Sequence, residues 1–109
     1  MPVLHIRTNQ TASADLHEIS KGVATALSKP ESYVMLSLES SPNMLFAGSN
    51  EPCATLELKS IGLAESALPD LSKQLCGLIQ TQLGVPPERI YIEFTDLQRS
   101  WFGWNKSTF

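Results

Sequence analysis

Cysteine is scarce in this sequence, with only Cys53 and Cys76 among 109 residues. A chain of this length can bury a hydrophobic core without a disulfide framework. We therefore expect both thiols to be reduced, as in a cytosolic protein. Cys53 begins Cys-Ala-Thr-Leu rather than a Cys-x-x-Cys motif, so this segment has no resolving thiol for redox chemistry.

Long runs of positive charge and long runs of apolar residues are both missing. The formal net charge is −3, which argues against a nucleic-acid partner or an anionic membrane surface. No stretch approaches the roughly 20 apolar residues of a membrane-spanning helix. The first seven residues also lack the features of a secretory signal. We expect a cytoplasmic protein, with signal-independent secretion left open.

Motifs for metals and cofactors are also missing. His5 and His17 have no cysteine or carboxylate partners at metal-ligand spacing. No Gly-x-Gly-x-x-Gly or other phosphate-binding loop occurs. The sequence therefore predicts neither a metal site nor a bound cofactor.

The first half of the chain follows a strand–helix–strand pattern. Apolar and polar residues alternate over 2–8, which is typical of a half-buried strand. Asp15, followed three residues later by Glu18, predicts the start of a helix, and Pro30 ends it. The β-rich residues 33–38 predict the second strand. The apolar stripe of the helix is predicted to be Leu16, Ile19, Val23 and Leu27.

The second half repeats this pattern after a segment, 40–52, that predicts turns with at most a short edge strand. Alternation predicts strands over 54–59 and 90–95. Between them, Pro69 suits the first turn of a helix and Gly84 its left-handed end. The apolar stripe of this helix is predicted to be Leu71, Leu75, Leu78 and Leu83.

Two strand–helix–strand units predict a single α/β (α+β) domain over residues 1–109. Each unit is long enough for one βαβ repeat, and together they form a four-stranded sheet with both helices on one face. We expect Val3, Met35 and Ala54 to lie on the other face. An uncovered, semi-apolar face of this kind favours oligomerisation.

Several residues are candidates for chemistry, although each also has a plainer interpretation. Removal of Met1 would leave Pro2 with a secondary amine that could act as a general base, yet many proteins begin Met-Pro. Lys29 could bind a carboxylate and lower the pKa of the Pro2 amine, or, as a cation in the last turn of the preceding helix, it could complement the helix dipole. Ile61, at a strand end, could offer a backbone N–H. The aromatic residues, which could line a pocket or serve as packing, are Tyr33, Tyr91, Phe102, Trp104 and Phe109.

Taken together, these features resemble one family over the whole chain. The matching segments are Pro2, Thr8-Asn9, Lys29-Pro30 with Tyr33, Ser49 to Ala54, Ser60-Ile-Gly62, Leu75 to Leu78, Arg89 to Ile92, and the closing Gly103-Trp-Asn-Lys-Ser-Thr-Phe109. In these segments the chain resembles the macrophage migration inhibitory factor family of the tautomerase superfamily.

The resemblance implies a homotrimer with active sites between subunits and no cofactor. It implies keto–enol tautomerisation of aromatic α-keto acids such as phenylpyruvate, with dopachrome-type substrates as a second class. Pro2 matches the family's catalytic base, and Lys29 and the Ile61 amide match its carboxylate clamp. Tyr91 matches a tyrosine from the neighbouring subunit. The pocket-lining positions are Tyr33, Phe102, Trp104 and Phe109.

The chain departs from the family pattern at several positions. Leu56 replaces the second cysteine of a Cys-Ala-x-Cys motif, which argues against thiol-oxidoreductase activity. Ala12 and Asn43 replace the arginine and aspartate of receptor mimicry, which argues against cytokine-like receptor binding. Glu93 replaces an asparagine beside the pocket, so we predict altered substrate choice. The alternative function is a cytokine-like or other interaction module with a vestigial pocket.

Overall fold

A four-stranded mixed sheet carries two helices on one of its faces. The computed structural model describes residues 1–10 and 14–109. The strands are β1 (Val3–Thr8), β2 (Met35–Ser40), β3 (Ala54–Ile61) and β4 (Ile90–Leu97), and the helices are α1 (Leu16–Leu27) and α2 (Leu68–Leu83). Neither α1 nor α2, the α-helices of the described part of the chain, has the length and apolar character that a membrane span needs.

The sheet is built from two βαβ units, as the sequence predicts. Its order is β2-β1-β3-β4, with β1 parallel to β2 and β3 parallel to β4. The two units meet where β1 and β3 run antiparallel. Each helix connects the two parallel strands of its own unit, since parallel strands need a crossover connection.

The hydrophobic core lies between the sheet and both helices. Leu4, Ile6, Leu56 and Leu58 of the central strands are completely buried. The helices contribute the buried residues Ile19, Val23, Leu75 and Ile79. Two residues of the predicted stripe of α1 are less buried: Leu16 is 45% exposed, because it starts the helix, and Leu27 is partly buried. The alternation of the strands and the helical period therefore place both helices on one face.

The ends of α1 follow from local hydrogen bonds. The Asp15 carboxylate accepts a hydrogen bond from the His17 amide at 2.9 Å, which confirms the predicted N-cap. At the other end, Ser28 adopts a left-handed conformation (φ 52°) and the Lys29 amide donates to the Ala24 carbonyl at 3.0 Å. Lys29 therefore lies beyond the last helical turn, and its interpretation as a residue of that turn is wrong.

The second strand begins two residues later than predicted. Residues 31–33 form a short 3₁₀ turn in which the Tyr33 amide donates to the Pro30 carbonyl at 3.1 Å. The turn places Tyr33 before β2 rather than within it. Pro86 opens an equivalent turn before β4, so the two repeats correspond at Pro30 and Pro86.

The open face of the sheet is polar over most of its area, which corrects the prediction of a semi-apolar face. Ala54 is 3% exposed, because it faces the helices together with Leu56 and Leu58. Val3 and Met35 do lie on the open face, at one end of the sheet. The rest of this face carries mainly His5, Arg7, Ser37, Glu39, Thr55, Glu57, Lys59, Tyr91, Glu93 and Thr95. Apolar character therefore gives only local support for an oligomer.

Two turns outside the sheet complete the fold. Within residues 40–52, Phe46 and Ser49 form an isolated bridge rather than an edge strand. At the C-terminus, β5 (Gly103–Trp104) and β6 (Ser107–Thr108) form a hairpin that the sequence analysis did not predict. Ala12, which falls in 11–13, lies outside the described residues.

Candidate functional site

Pro2 is completely buried just before β1. Its carbonyl accepts a hydrogen bond from the Met35 amide at 3.0 Å, which fixes the start of the chain against β2. The nitrogen of Pro2 therefore has a defined position at the end of the sheet where β1 and β2 begin. An amine at this position is held by the sheet rather than by a loose terminus.

The α-amine of Met1 lies in an environment that opposes protonation. Burial lowers the pKa of this amine below its usual value, and the positive charges of Lys29 and then Arg99 lower that pKa further. The sequence analysis anticipated the effect of Lys29 and missed that of Arg99. The available signal was a cation three residues before a pocket aromatic, in the turn that follows the last long strand.

One cavity beside Met1 has aromatic walls. Its volume is about 250 Å³. We call it the aromatic cavity. It is lined by Met1, Val3, Ser32, Tyr33, Val34, Met35, Phe102, Gly103, Trp104 and Phe109. The Trp104 and Phe109 rings are stacked with centroids 5.7 Å apart, and Phe102 stacks on Phe109 at 5.6 Å. Tyr33 meets Trp104 edge-on at 6.1 Å. Four of the predicted pocket residues therefore form one continuous series of ring contacts.

The C-terminal hairpin positions this aromatic wall. Asn105 and Lys106 have φ values of 53° and 66°, as the two-residue loop of a type I′ hairpin requires. After the hairpin, the Phe109 amide donates to the Phe102 carbonyl at 3.1 Å. The chain therefore returns to the 99–102 turn and brings its last ring against Phe102.

A second cavity lies where α1 ends and α2 begins. Its volume is about 310 Å³. We call it the clamp cavity. The residues that line it include Ser28, Lys29, Ser60, Ile61, Gly62, Leu63, Asp70 and Leu71. Ser60 is completely buried, and within the described residues its Oγ has no hydrogen-bond partner. The two predicted clamp residues thus line one cavity, and a buried hydroxyl is available beside them.

The turn that leaves β3 is held by a carboxylate of β4. Asp96 Oδ1 accepts hydrogen bonds from the Gly62 amide at 3.0 Å and the Leu63 amide at 3.1 Å. Gly62 has a φ of 80°, a conformation that side chains disfavour. The sequence analysis missed Asp96. Its signal was an aspartate within a strand, where aspartate is depleted.

Tyr91 and Glu93 lie apart from both cavities in the single chain. They share the open face of β4, as their spacing predicts, and Tyr91 is 69% exposed. The centroids of the Tyr91 and Phe46 rings lie 4.9 Å apart. The central carbon of the Arg89 guanidinium lies over the Phe46 ring, 5.1 Å from its centroid. Glu93 stands opposite Glu57 in the register of β3 and β4.

Metal-binding chemistry has no assembled site in the described part of the chain. Over residues 1–10 and 14–109, no three side chains of His, Cys, Asp or Glu gather where they could hold a metal ion. The chemistry that the two cavities offer is that of an amine, a lysine, backbone amides and aromatic rings.

Comparisons with known proteins agree over the full length of the chain. The family model "Macrophage migration inhibitory factor (MIF)" matches residues 1–109. A macrophage migration inhibitory factor homolog of Brugia malayi is 41% identical over 106 residues, covering 96% of this chain and 92% of that protein. Macrophage migration inhibitory factor of Mus musculus is 36% identical, covering 100% of this chain and 99% of that protein.

Solved structures give the same result for the fold. The crystal structure of a homologue from Prochlorococcus marinus superimposes with a TM-score of 0.89 at 43% identity, covering 98% of both chains. The structure of the factor from Trichinella spiralis gives a TM-score of 0.90 at 35% identity, covering 98% of this chain and 99% of that one. The arrangement of four strands and two helices is therefore that of these proteins.

Proposed function

The chain belongs to the macrophage migration inhibitory factor family, and from this premise we propose that it is a keto–enol tautomerase of aromatic α-keto acids such as phenylpyruvate. The family includes proteins with tautomerase activity and proteins with cytokine roles. The observation that carries the proposal is the α-amine at the start of the chain. Its pKa is lowered by burial, by Lys29 and by Arg99, and it lines an aromatic cavity.

Pro2 is the catalytic base in this proposal. Removal of Met1 exposes the secondary amine of Pro2, one residue further into the same buried and positively charged surroundings. In this proposal the surroundings that lower the pKa of the Met1 amine also disfavour the ammonium form of Pro2, so a larger fraction of the amine is neutral and able to act as a base at a given pH. Met1 lines the aromatic cavity and Pro2 does not, so in this proposal the removal of Met1 opens the cavity toward the Pro2 amine.

We assign the carboxylate of the substrate to the clamp cavity and its aromatic ring to the aromatic cavity. The carboxylate of the keto acid binds the Lys29 ammonium and the Ile61 N–H, and the aromatic ring enters between Tyr33, Phe102 and Trp104. Pro2 then removes a proton from the carbon beside the ketone, and the same proton returns to the ketone oxygen to give the enol. The protein residues orient the substrate and move one proton, so the reaction balances without a cofactor. Dopachrome-type carboxylates fit the same chemistry as a second substrate class.

The protein works as a homotrimer in this proposal. Proteins of this family are generally oligomeric. Tyr91 supports a shared site, because its ring is exposed and lies apart from the cavities of its own chain. A neighbouring Tyr91 completes the pocket, and Glu93 on the same strand face brings a negative charge that influences substrate choice. Cys53 and Cys76 are free thiols, which supports a reducing, cytoplasmic location.

Blocking the N-terminal amine tests the proposal. Insertion of an alanine between Met1 and Pro2 converts the amine into an amide, which cannot accept a proton. We expect phenylpyruvate tautomerisation, followed by ultraviolet absorbance, to fall about a hundredfold or more, the usual contribution of a positioned base. Mass spectrometry verifies the two N-termini, and thermal unfolding verifies that the inserted protein is folded.

Two results would count against the proposal. Equal turnover by the inserted and parent proteins would show that Pro2 is not the base. Absence of turnover in the parent protein with a free Pro2 amine would favour an interaction module with a vestigial pocket.

A further inference from the structure

The chain turns sharply at the point where β3 reaches the clamp cavity. β3 ends at Ile61, and Gly62 follows with a φ of 80°. The N–H that we assign to the carboxylate clamp therefore belongs to the last residue of the strand. Its direction depends on how the strand and the turn hold Ile61.

The Asp96 side chain binds the backbone that directly follows Ile61. A single oxygen, Oδ1, accepts from the amides of Gly62 and Leu63 at 3.0 and 3.1 Å. Both distances are ordinary for N–H···O hydrogen bonds, and a carboxylate acceptor makes such bonds stronger than those between neutral groups. Asp96 itself is anchored in β4, where it is the register partner of Ser60.

Ile61 is therefore held from both sides. On its own strand it is paired in register with Leu97 of β4. On the turn side, the peptide that joins Ile61 to Gly62 is fixed through the Gly62 N–H. Only the two backbone dihedral angles of Ile61 separate this fixed peptide from the peptide that carries its own N–H. A carboxylate on β4 thus sets an amide on β3.

We propose that Asp96 is a positioning residue that sets the direction of the Ile61 N–H toward the substrate carboxylate. The inference rests on the proposed tautomerase function and adds a specificity role to a residue outside the aromatic pocket. Loss of Asp96 leaves Pro2, Lys29 and the aromatic cavity in place. Loss of Asp96 also relaxes the turn, so the Ile61 N–H no longer points directly at the substrate. The acid substrate is affected more than an ester, because a carboxylate accepts a stronger hydrogen bond than a neutral ester carbonyl.

The test compares phenylpyruvate with its methyl ester. In Asp96→Ala we expect the KM for the acid to rise about tenfold, the contribution of one hydrogen bond to a charged group, and the KM for the ester to rise less than about twofold. Asp96→Asn keeps a carbonyl oxygen in place, so we expect its acid KM to stay within about threefold of the parent value. Glu88→Ala removes an exposed carboxylate outside both cavities and serves as the control.

A second variant addresses the turn without touching Asp96. A Cβ on Gly62 would meet nothing within 4 Å, so Gly62→Ala adds backbone strain alone. We expect the same selective rise in the acid KM. Hydrogen exchange of the Gly62 and Leu63 amides, measured by NMR, should accelerate in Asp96→Ala and stay slow in Asp96→Asn. If Asp96→Ala does not fold, Gly62→Ala and Asp96→Asn carry the comparison.

The outcomes separate this inference from the proposed function. An unchanged ratio of acid to ester KM in the folded Asp96→Ala or Gly62→Ala protein, with normal parent turnover, would overturn the positioning role. Equal losses on both substrates would assign Asp96 to fold stability alone. Absence of turnover in the parent protein would instead overturn the tautomerase proposal.

Discussion

Single residues decide the chemistry at the start of this chain. Burial and two cations, Lys29 and Arg99, act on the terminal amine from different parts of the sequence. Lys29 follows the end of α1, and Arg99 lies in the turn after β4. An amine that is held in an apolar edge and faces two positive charges releases its proton more readily than one in water.

Replacement of Lys29 tests this electrostatic effect. Only the neutral amine acts as a base, so kcat/KM should rise with pH through the pKa of the amine. Lys29 lowers the pKa of the Met1 amine, and our proposal extends this effect to the Pro2 amine, so we expect Lys29→Met to shift the rising limb of the profile to higher pH. The KM for phenylpyruvate should also rise about tenfold, through loss of a charged hydrogen-bond donor. Profiles of kcat/KM against pH at low salt provide the measurement.

Lys73→Met serves as the matched control, because Lys73 is an exposed lysine of α2 outside both cavities. Its profile should coincide with that of the parent protein. If Lys29→Met and Lys73→Met behave alike, Lys29 has no part in tuning the amine or binding the acid.

At the scale of secondary structure, α1 and α2 approach closely at a glycine. A Cβ on Gly22 would lie 2.7 and 2.8 Å from the two terminal carbons of the Leu78 side chain. Gly77, on the exposed side of α2, has open space where its Cβ would be. The two helical glycines thus differ in packing and share the same cost of backbone freedom.

This difference predicts unequal effects of one substitution on the free energy of unfolding. Gly77→Ala should raise the free energy of unfolding by about 0.5–1 kcal/mol, since alanine is the better helix former. Gly22→Ala has the same helical gain, but the half-buried Leu78 side chain must move aside, so the net gain in the free energy of unfolding should be smaller than that of Gly77→Ala. Denaturant unfolding of both variants at one protein concentration measures the difference. A Gly22→Ala protein as stable as Gly77→Ala would show that Leu78 moves aside at no cost.

On the scale of the whole molecule, the proposed site needs more than one chain. Tyr91 packs on Phe46 and projects from the open face, while the amine and the aromatic cavity lie at the edge where β1 and β2 begin. A ring of three subunits uses a head-to-tail interface, in which one surface of each chain meets a different surface of the next.

Mixed oligomers test this shared site. Sedimentation should give about three times the chain mass of 12.0 kDa. Tyr91→Ala alone and the alanine insertion before Pro2 alone should each have low activity. Co-expressed in equal amounts, they should recover activity at about a quarter of the sites, where an intact Pro2 meets an intact neighbouring Tyr91. A folded monomer, or no recovery in verified mixed oligomers, would contradict the shared site.

The elements of this fold could be predicted from the sequence because their signals are local. The alternation over 54–59, the cap at Asp15 and the left-handed Gly84 each act within a few residues of chain. The repeated strand–helix–strand order then requires parallel pairs with crossover helices. For the candidate site, the residues were identified by resemblance, and the sequence alone left Pro2 and Lys29 with ordinary alternatives.

The tertiary structure decided which distant residues meet. Asp96 reaches the Gly62 amide across 34 residues of chain, and Arg99 acts on the amine at the opposite end of the sequence. The burial of Ala54, by contrast, follows from the alternation that places it on the same strand face as Leu56 and Leu58. Periodicity gives the side-chain alternation of each strand, but strand pairing and register set the neighbours of each side chain, because hydrogen bonds between strands join residues that are far apart in the chain.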